Sequence, residues 1–357
     1  METLSFPGLG LEFNLSRVAF SVGSFPIYWY GIIISLGFLA GLFYVFKRVK
    51  EFGLDSDRVT DVILGSVVAA VVGARAYFVI WKWEDYRDNL SEIFNIRAGG
   101  IAIYGAVIAA FLFALLMCRW RRVKTLPMFD LAVGGLIIGQ AIGRWANFVN
   151  IEAFGSNTKM PWGMTSPAIV EYLQLHKAQL SAIGVKVDPS IPVHPTFLYE
   201  SIWCVLGFLF ILFYTKKRKF DGELLLFYVG WYGLGRMFIE GLRTDSLMIG
   251  SIRVSQLVAL LTSIAAFVIW LIVRNKIKVQ NDPEYLKLYV NTDEAKLVLS
   301  GEFYKKKENS AEQEETKPLQ NDEELSQEDN QEQENDKSVI SEHEISGDDD
   351  NNNSEVQ

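Results

Sequence analysis

The stretch from Gly143 to Glu152, GRWANFVNIE, ends a long apolar run with an arginine, two asparagines and a glutamate. Polar groups in such a place either hold a helical bundle together or hold something charged that the bundle needs. An arginine on the central part of a membrane helix costs about 2.5–3.5 kcal/mol on insertion scales, so one that is kept there marks a candidate site. Four sit within apolar runs: Arg75, Arg144, Arg236 and Arg243. Glu240 follows Arg236 by four residues and precedes Arg243 by three, so these three share one helix face. Glu152 and Glu200 are the carboxylates left to satisfy Arg144 or Arg75. Four cations against three anions leave one positive charge over, and a membrane offers lipid phosphate as the counter-ion. The planar fork of a guanidinium suits bidentate contact with such a group.

Seven apolar segments must position these residues, at about 25–46, 59–81, 101–118, 128–148, 195–214, 222–242 and 253–273. Each is close to the roughly 20 residues that cross a hydrocarbon core about 30 Å thick. Clusters of Lys and Arg follow the first (KRVK), third (RWRRVK), fifth (KKRK) and seventh (RNKIK). Basic loops stay in the cytoplasm, which puts the N-terminus outside and the C-terminus inside. The fold class expected is therefore all-α, a polytopic bundle of seven transmembrane helices. In that topology Arg75, Arg144 and Arg236 lie roughly 6–9 Å below the outer boundary, at about 1.5 Å per residue. Tyr28, Tyr30, Tyr104, His194 and Gln256 open their segments at the same level. Small residues recur at every fourth position, Gly65, Ala69 and Gly73 in one segment and Gly135, Gly139 and Gly143 in another, a spacing that lets helix backbones approach.

Composition divides the chain. Residues 301–357 carry 19 acidic and 5 basic side chains, a balance of −14, whereas everything before them sums to +6. This part cannot bury enough apolar area to offset its ordering entropy, so a cytoplasmic, mostly disordered acidic tail is expected over 276–357. Ahead of it come an extracytoplasmic segment over 1–24 and a transmembrane domain over 25–275, with an outside arm at 149–193. Cys118 and Cys204 lie in apolar runs and read as small hydrophobes. Three histidines without HExxH spacing give no metal site, and no GxxxxGK[ST] loop supports nucleotide hydrolysis. Neither a cofactor nor a nucleic-acid partner is expected.

Several of these motifs, in one order, resemble the prolipoprotein diacylglyceryl transferase family over residues 20–273. GRWANFVNIEAFG (143–155) is similar to that family's GRxGNFxNxExxG signature. Also similar are YWYG at 28–31, GAR at 73–75, GGIAIYG at 99–105, HPTFLYE at 194–200, YGLGRMFIEGLR at 232–243 and VSQ at 254–256. The resemblance implies transfer of the diacylglyceryl group of phosphatidylglycerol to the lipobox cysteine thiol of a prolipoprotein, in a bacterial cytoplasmic membrane. It implies phosphate contacts from Arg144 and Arg236, with Arg75 either assisting them or structural. Asn147 and Asn150 would meet headgroup hydroxyls or hold Arg144, and Glu152, Gly155, Glu240 and His194 would complete the lipid site. Ala146 replaces a signature glycine, and Tyr104 stands where some members carry a catalytic histidine. A phenol near pKa 10 is a weak base for a thiol near 8.5, so water, Tyr30, Tyr232 or His194 would then assist proton loss. The competing reading is a lipid or anion transporter, which would line a route across the membrane instead of gathering charge in one leaflet.

Overall fold

The computed structural model describes residues 2–95, 99–182, 184–244, 248–249 and 252–304. Two compact units divide the chain, Met1–Leu299 and Ser300–Gln357; the fold below is that of the first. It opens on two antiparallel hairpins. β1 (Glu2–Phe6) pairs with β2 (Leu11–Leu15), and β3 (Val18–Val22) pairs with β4 (Phe25–Tyr28) across Gly23, whose φ of 60° suits the turn. The chain is mostly helical, and to the all-α expectation it adds these hairpins and a third formed by β5 (Met248–Ile249) and β6 (Ile252–Arg253). Hydropathy assigns residues 25–28 to the first span, but a short apolar run carries no signal that separates strand from helix.

Ten helices follow among the described residues. α1 is Trp29–Arg48, α2 Ser56–Trp81, α3 Trp83–Tyr86, α4 Ile103–Trp120 and α5 Thr125–Asn150. After them come α6 Pro167–Ala182, α7 Thr196–Tyr214, α8 Glu223–Glu240, α9 Val254–Gln280 and α10 Asp293–Ser300. Six of them, α1, α2, α4, α5, α7 and α9, are long and apolar enough to cross a membrane. α8 occupies the remaining expected segment but carries Glu223, Arg236 and Glu240, and lies outside that six.

Glycines set how the helices pair. A Cβ on Gly41 of α1 would meet the carbonyl oxygen of Gly135 in α5 at 2.7 Å, and one on Gly73 of α2 would meet that of Gly105 in α4 at the same distance. Backbones that close leave no room for a side chain, and the dispersion attraction between them is what holds apolar helices together in lipid. α7 and α8 then pack against α5, and α9 against α8.

One buried carboxylate fixes the register of this group. Asp130 of α5 is fully buried and accepts hydrogen bonds from the backbone N–H groups of Gly222 (2.8 Å) and Leu225 (2.9 Å) at the start of α8. Helix N-termini leave such N–H groups without partners of their own. Fourteen residues on from that contact stand Arg144 on α5 and Arg236 on α8. At about 1.5 Å per residue both are carried roughly 21 Å, to the same level. Glu223, also fully buried, joins α7, α8 and α9 at the same end: it accepts from Tyr214 (3.0 Å), Trp270 (2.9 Å) and Arg274 (2.7 Å).

At the far end of α5 the arm folds over the helix with its own core, which includes Leu4, Phe6, Ile151, Phe154, Met164, Ile169, Leu173 and Phe197. Ser5 and Thr165 exchange backbone hydrogen bonds at 2.9 Å, so β1 is stitched to the arm. At the opposite end, order continues past residue 275. Tyr289 donates its N–H to Asp221 at 2.7 Å, Lys124 pairs with Glu294 at 3.1 Å, and Ala295 and Val298 are buried. Residues 305–357, on which most of the expected tail falls, lie outside the described residues.

Candidate active site

Glu200 is the centre of the site. It stands one turn into α7, and its carboxylate lies between α5 and α8. One oxygen, Oε2, accepts from Nη2 of Arg144 at 2.6 Å; the other faces Nη1 of Arg236 at 3.2 Å and Nη1 of Arg243 at 3.6 Å. Glu240, one turn beyond Arg236, pairs with its Nη2. The two acids are sealed, at 5% and 1% exposed, while the side chains of Arg144 and Arg236 are 22% and 24% exposed. The cations therefore form the open side of the cluster.

Donor accounting shows what that open side can do. A guanidinium carries five N–H donors. Arg144 spends only Nη2 on the protein; its Nη1 and Nε have no partner among the described residues. Arg236 engages both Nη atoms and keeps Nε free among those residues. An anion arriving here meets fixed donors at the edge of a largely buried ion cluster, where water competes weakly.

The surroundings hold the cluster in place. Arg253, at the start of α9, donates to the backbone oxygen of Glu240 at 2.6 Å, and Gln256 donates to that of Met237 at 2.9 Å. Trp145 donates to Ser201 at 3.2 Å, which in turn donates to the carbonyl of Ala141 at 2.8 Å, locking α5 to α7. One turn below the arginines, Gln140 donates to the hydroxyl of Tyr228 at 2.9 Å, and Tyr228 stacks on Tyr232 with centroids 5.7 Å apart. Gln140, Tyr228, Asp130 and Ser201 were not among the expected site residues. Gln140 could have been found, being an amide four residues before Arg144 in an apolar run; the others depend on which helices meet.

The remaining expected residues divide into groups. Asn147 donates to Glu152 at 2.8 Å, which closes the C-terminal turn of α5. Gly155 is a crossing point. Its N–H donates to the His194 carbonyl at 2.9 Å, Ser156 donates to the Leu242 carbonyl at 2.6 Å, and a Cβ on Gly155 would meet that of His194 at 2.7 Å. No side chain fits there, and the contact ties the arm to the end of α8. His194 meets the hydroxyl of Tyr199 through Nδ1 at 3.0 Å, and that hydroxyl also accepts from Trp162 at 2.7 Å. Burial pushes the His194 imidazole below its usual pKa, so it is neutral at pH 7.

Tyr104, on α4, is 60% exposed, and its hydroxyl makes no hydrogen bond among the described residues. Tyr30 and Asn150 line a separate groove beside α1.

Of the two readings of Arg75, helper or structural residue, its contacts favour the structural one. It does not join the arginine cluster: its Nε donates to the carbonyl of Ile93 (2.8 Å), Nη1 to Gly99 (2.9 Å) and Gly100 (2.8 Å), and Nη2 to Glu92 (2.6 Å) and Asn95 (3.3 Å). Five donors meet five backbone oxygens, which leaves none for a phosphate. Gly99 and Gly100, at φ of 87° and 77°, turn their carbonyls onto it, and the ring of Tyr86 lies 5.0 Å from its Cζ. Arg75 organises the segment that leads into α4.

Long apolar helices around a sealed glutamate that is paired with arginines of neighbouring helices define a multi-pass membrane protein. The family model described as prolipoprotein diacylglyceryl transferase matches residues 17–272. The chain belongs to that family and is a transferase. It is 42% identical over 256 residues to the phosphatidylglycerol–prolipoprotein diacylglyceryl transferase of Finegoldia magna, covering 71% of this chain and 94% of that protein. To the protein of the same name from Bacillus cereus strain Q1 it is 40% identical over 280 residues, covering 78% and 99%.

Proposed function

We propose that this protein moves the diacylglyceryl group of phosphatidylglycerol onto the lipobox cysteine thiol of prolipoproteins. The thiolate sulfur forms a bond to the glycerol carbon of the donor, the carbon–oxygen bond to phosphate breaks, and the bonding pair leaves with glycerol phosphate. The thiol proton goes to solvent. The observation that carries the reading is the Glu200 cluster, in which two nitrogen atoms of Arg144 have no partner among the described residues and can meet a phosphate.

Charge supplies the catalysis. A phosphodiester holds one negative charge, whereas the departing phosphomonoester moves towards two. Donors fixed where that charge grows stabilise the transition state more than the bound lipid. Arg144 and Arg236 grip the phosphate, while Glu200 and Glu240 hold the two forks at one spacing. Tyr232 and the Gln140–Tyr228 pair form the layer beneath. Asn147, Glu152, Gly155 and His194 act by fixing the end of α5 and the arm.

In this reading α8 is the seventh membrane span, tolerated there because its charged residues face α7 and α9 instead of lipid. The basic loops support an N-terminus outside and a site in the outer-leaflet half of the cell membrane. The full chain, reconstituted with phosphatidylglycerol and a lipobox peptide, is expected to yield peptide heavier by one diacylglyceryl group. An unmodified peptide, with its Cys available, would remove the assignment.

A further inference from the structure

The groove that holds Tyr30 and Asn150 is unexplained by the arginine cluster. It measures about 1140 Å³ and runs between the β3–β4 hairpin and α1, larger than the roughly 300–1,000 Å³ of ordinary small-molecule pockets. Arg17, at the base of the hairpin, is among its lining residues. The backbone carbonyl of Arg17 accepts from Trp29 at 3.0 Å, but its guanidinium has no partner among the described residues. The Tyr30 hydroxyl and the Asn150 amide have none there either. Below these polar groups Ile32, Leu36 and Leu39 continue the lining. Their spacing of four and three makes one apolar stripe along α1, which reaches about 13 Å beyond Tyr30 at 1.5 Å per residue.

One cation with neutral hydrogen-bonding groups (Ser24, Tyr28, Tyr30 and Asn150) above a mainly apolar stripe, broken only by Ser35, matches an anionic glycerophospholipid. A soluble anion has no use for the stripe, and a basic peptide would be repelled by Arg17. The groove is also set apart from the Glu200 cluster. Asn150 follows Arg144 by six residues on α5, about 9 Å along the axis and roughly 120° around it. Arg144 faces α7 through Glu200, whereas Asn150 lies with residues of α1 and the hairpin.

We propose that this groove loads the donor lipid, with Arg17 on its phosphate and an acyl chain along the stripe, before the headgroup passes to Arg144. Arg17 is then a specificity-determining residue that selects an anionic headgroup. The inference rests on the transfer reaction proposed above.

Two measurements on the full chain test it. In mixed micelles with saturating lipobox peptide, Arg17→Gln is expected to raise KM for phosphatidylglycerol about tenfold, the scale of one lost contact to a charged group. Its kcat should stay within about twofold of wild type, as removal of ground-state binding requires. Arg17→Lys should recover most of the lost affinity, and Leu36→Trp, which fills the stripe, should raise the same KM. Native mass spectrometry, independent of turnover, should show weaker retention of phosphatidylglycerol by Arg17→Gln and Leu36→Trp than by wild type. Unchanged lipid retention and KM in both variants would overturn the proposal. A rise in KM for the peptide alone would assign the groove to the acceptor, and a collapse of kcat in Arg17→Gln would move Arg17 into the transfer site. An inactive wild-type enzyme that still loses lipid on Arg17→Gln would sink the transfer reading and leave the groove standing.

Discussion

Glu200 places one carboxylate among three guanidinium groups, and the effect depends on which donors it leaves unused. It orients Arg144 through a single nitrogen and leaves two without a partner among the described residues. Arg144→Lys is therefore expected to lose most activity although the charge is kept, since an ammonium cannot hold Glu200 and phosphate in one planar fork. A fall in kcat of about a hundredfold, measured with the lipid saturating, is the expected scale for one transition-state donor. Arg75 and Arg144 look alike in sequence, each an arginine near the outer end of an apolar run. They differ because the carbonyls of Glu92, Ile93, Asn95, Gly99 and Gly100 close around Arg75, a contact that no local pattern encodes. Arg75→Ala should thus lower thermal stability more than it lowers kcat in the protein that remains folded, a comparison made by melting and assay of the same sample.

His194 adds a pH dependence at this scale. Its imidazole is held below the ordinary value by burial, so between the folded and unfolded pKa the unfolded chain binds more proton. The stability linked to neutral His194 is complete above the unfolded value of about 6.5 and is lost as pH falls through that value towards the folded one. Melting temperatures in detergent at pH 7 and pH 5 should diverge less for His194→Asn than for wild type; equal divergence would contradict the assignment.

At the scale of elements, the site depends on helix register. The Asp130 contact with the first turn of α8 fixes α5 against α8, and the same fourteen-residue distance then brings Arg144 and Arg236 to Glu200. Asp130→Ala removes both acceptors from buried N–H groups and should cost about 1–3 kcal/mol of stability. It should also lower kcat, though Asp130 lies about 21 Å along the helix from the chemistry. Asp130→Asn, which keeps one acceptor oxygen, should fall between. The long helices were legible from apolar length, and the glycine contacts from four-residue spacing. The hairpins and Asp130 were not. A short strand such as Phe25–Tyr28 has the hydropathy of a helix start, and a buried aspartate declares its partner only once α5 and α8 are side by side.

At the scale of the molecule, the chain joins a transferase body to a strongly acidic end. The family match stops at residue 272, and relatives are covered to 94–99% of their length by 256–280 residues of this chain. Residues 305–357 lie beyond the residues that the family model matches. Truncation after Tyr304 is expected to leave kcat/KM for peptide and lipid within about twofold of the full chain. A larger loss would give the acidic segment a part in turnover.

The central claim is that the partly open arginines of the Glu200 cluster receive the phosphate of the donor lipid as its charge grows. The most direct measurement is single-turnover transfer from saturating phosphatidylglycerol to a lipobox peptide by Arg144→Ala and Arg236→Ala, each shown to be folded by its melting curve. The prediction is a rate constant lower by about two to three orders of magnitude in each variant. A rate constant near that of wild type in either folded variant would contradict it.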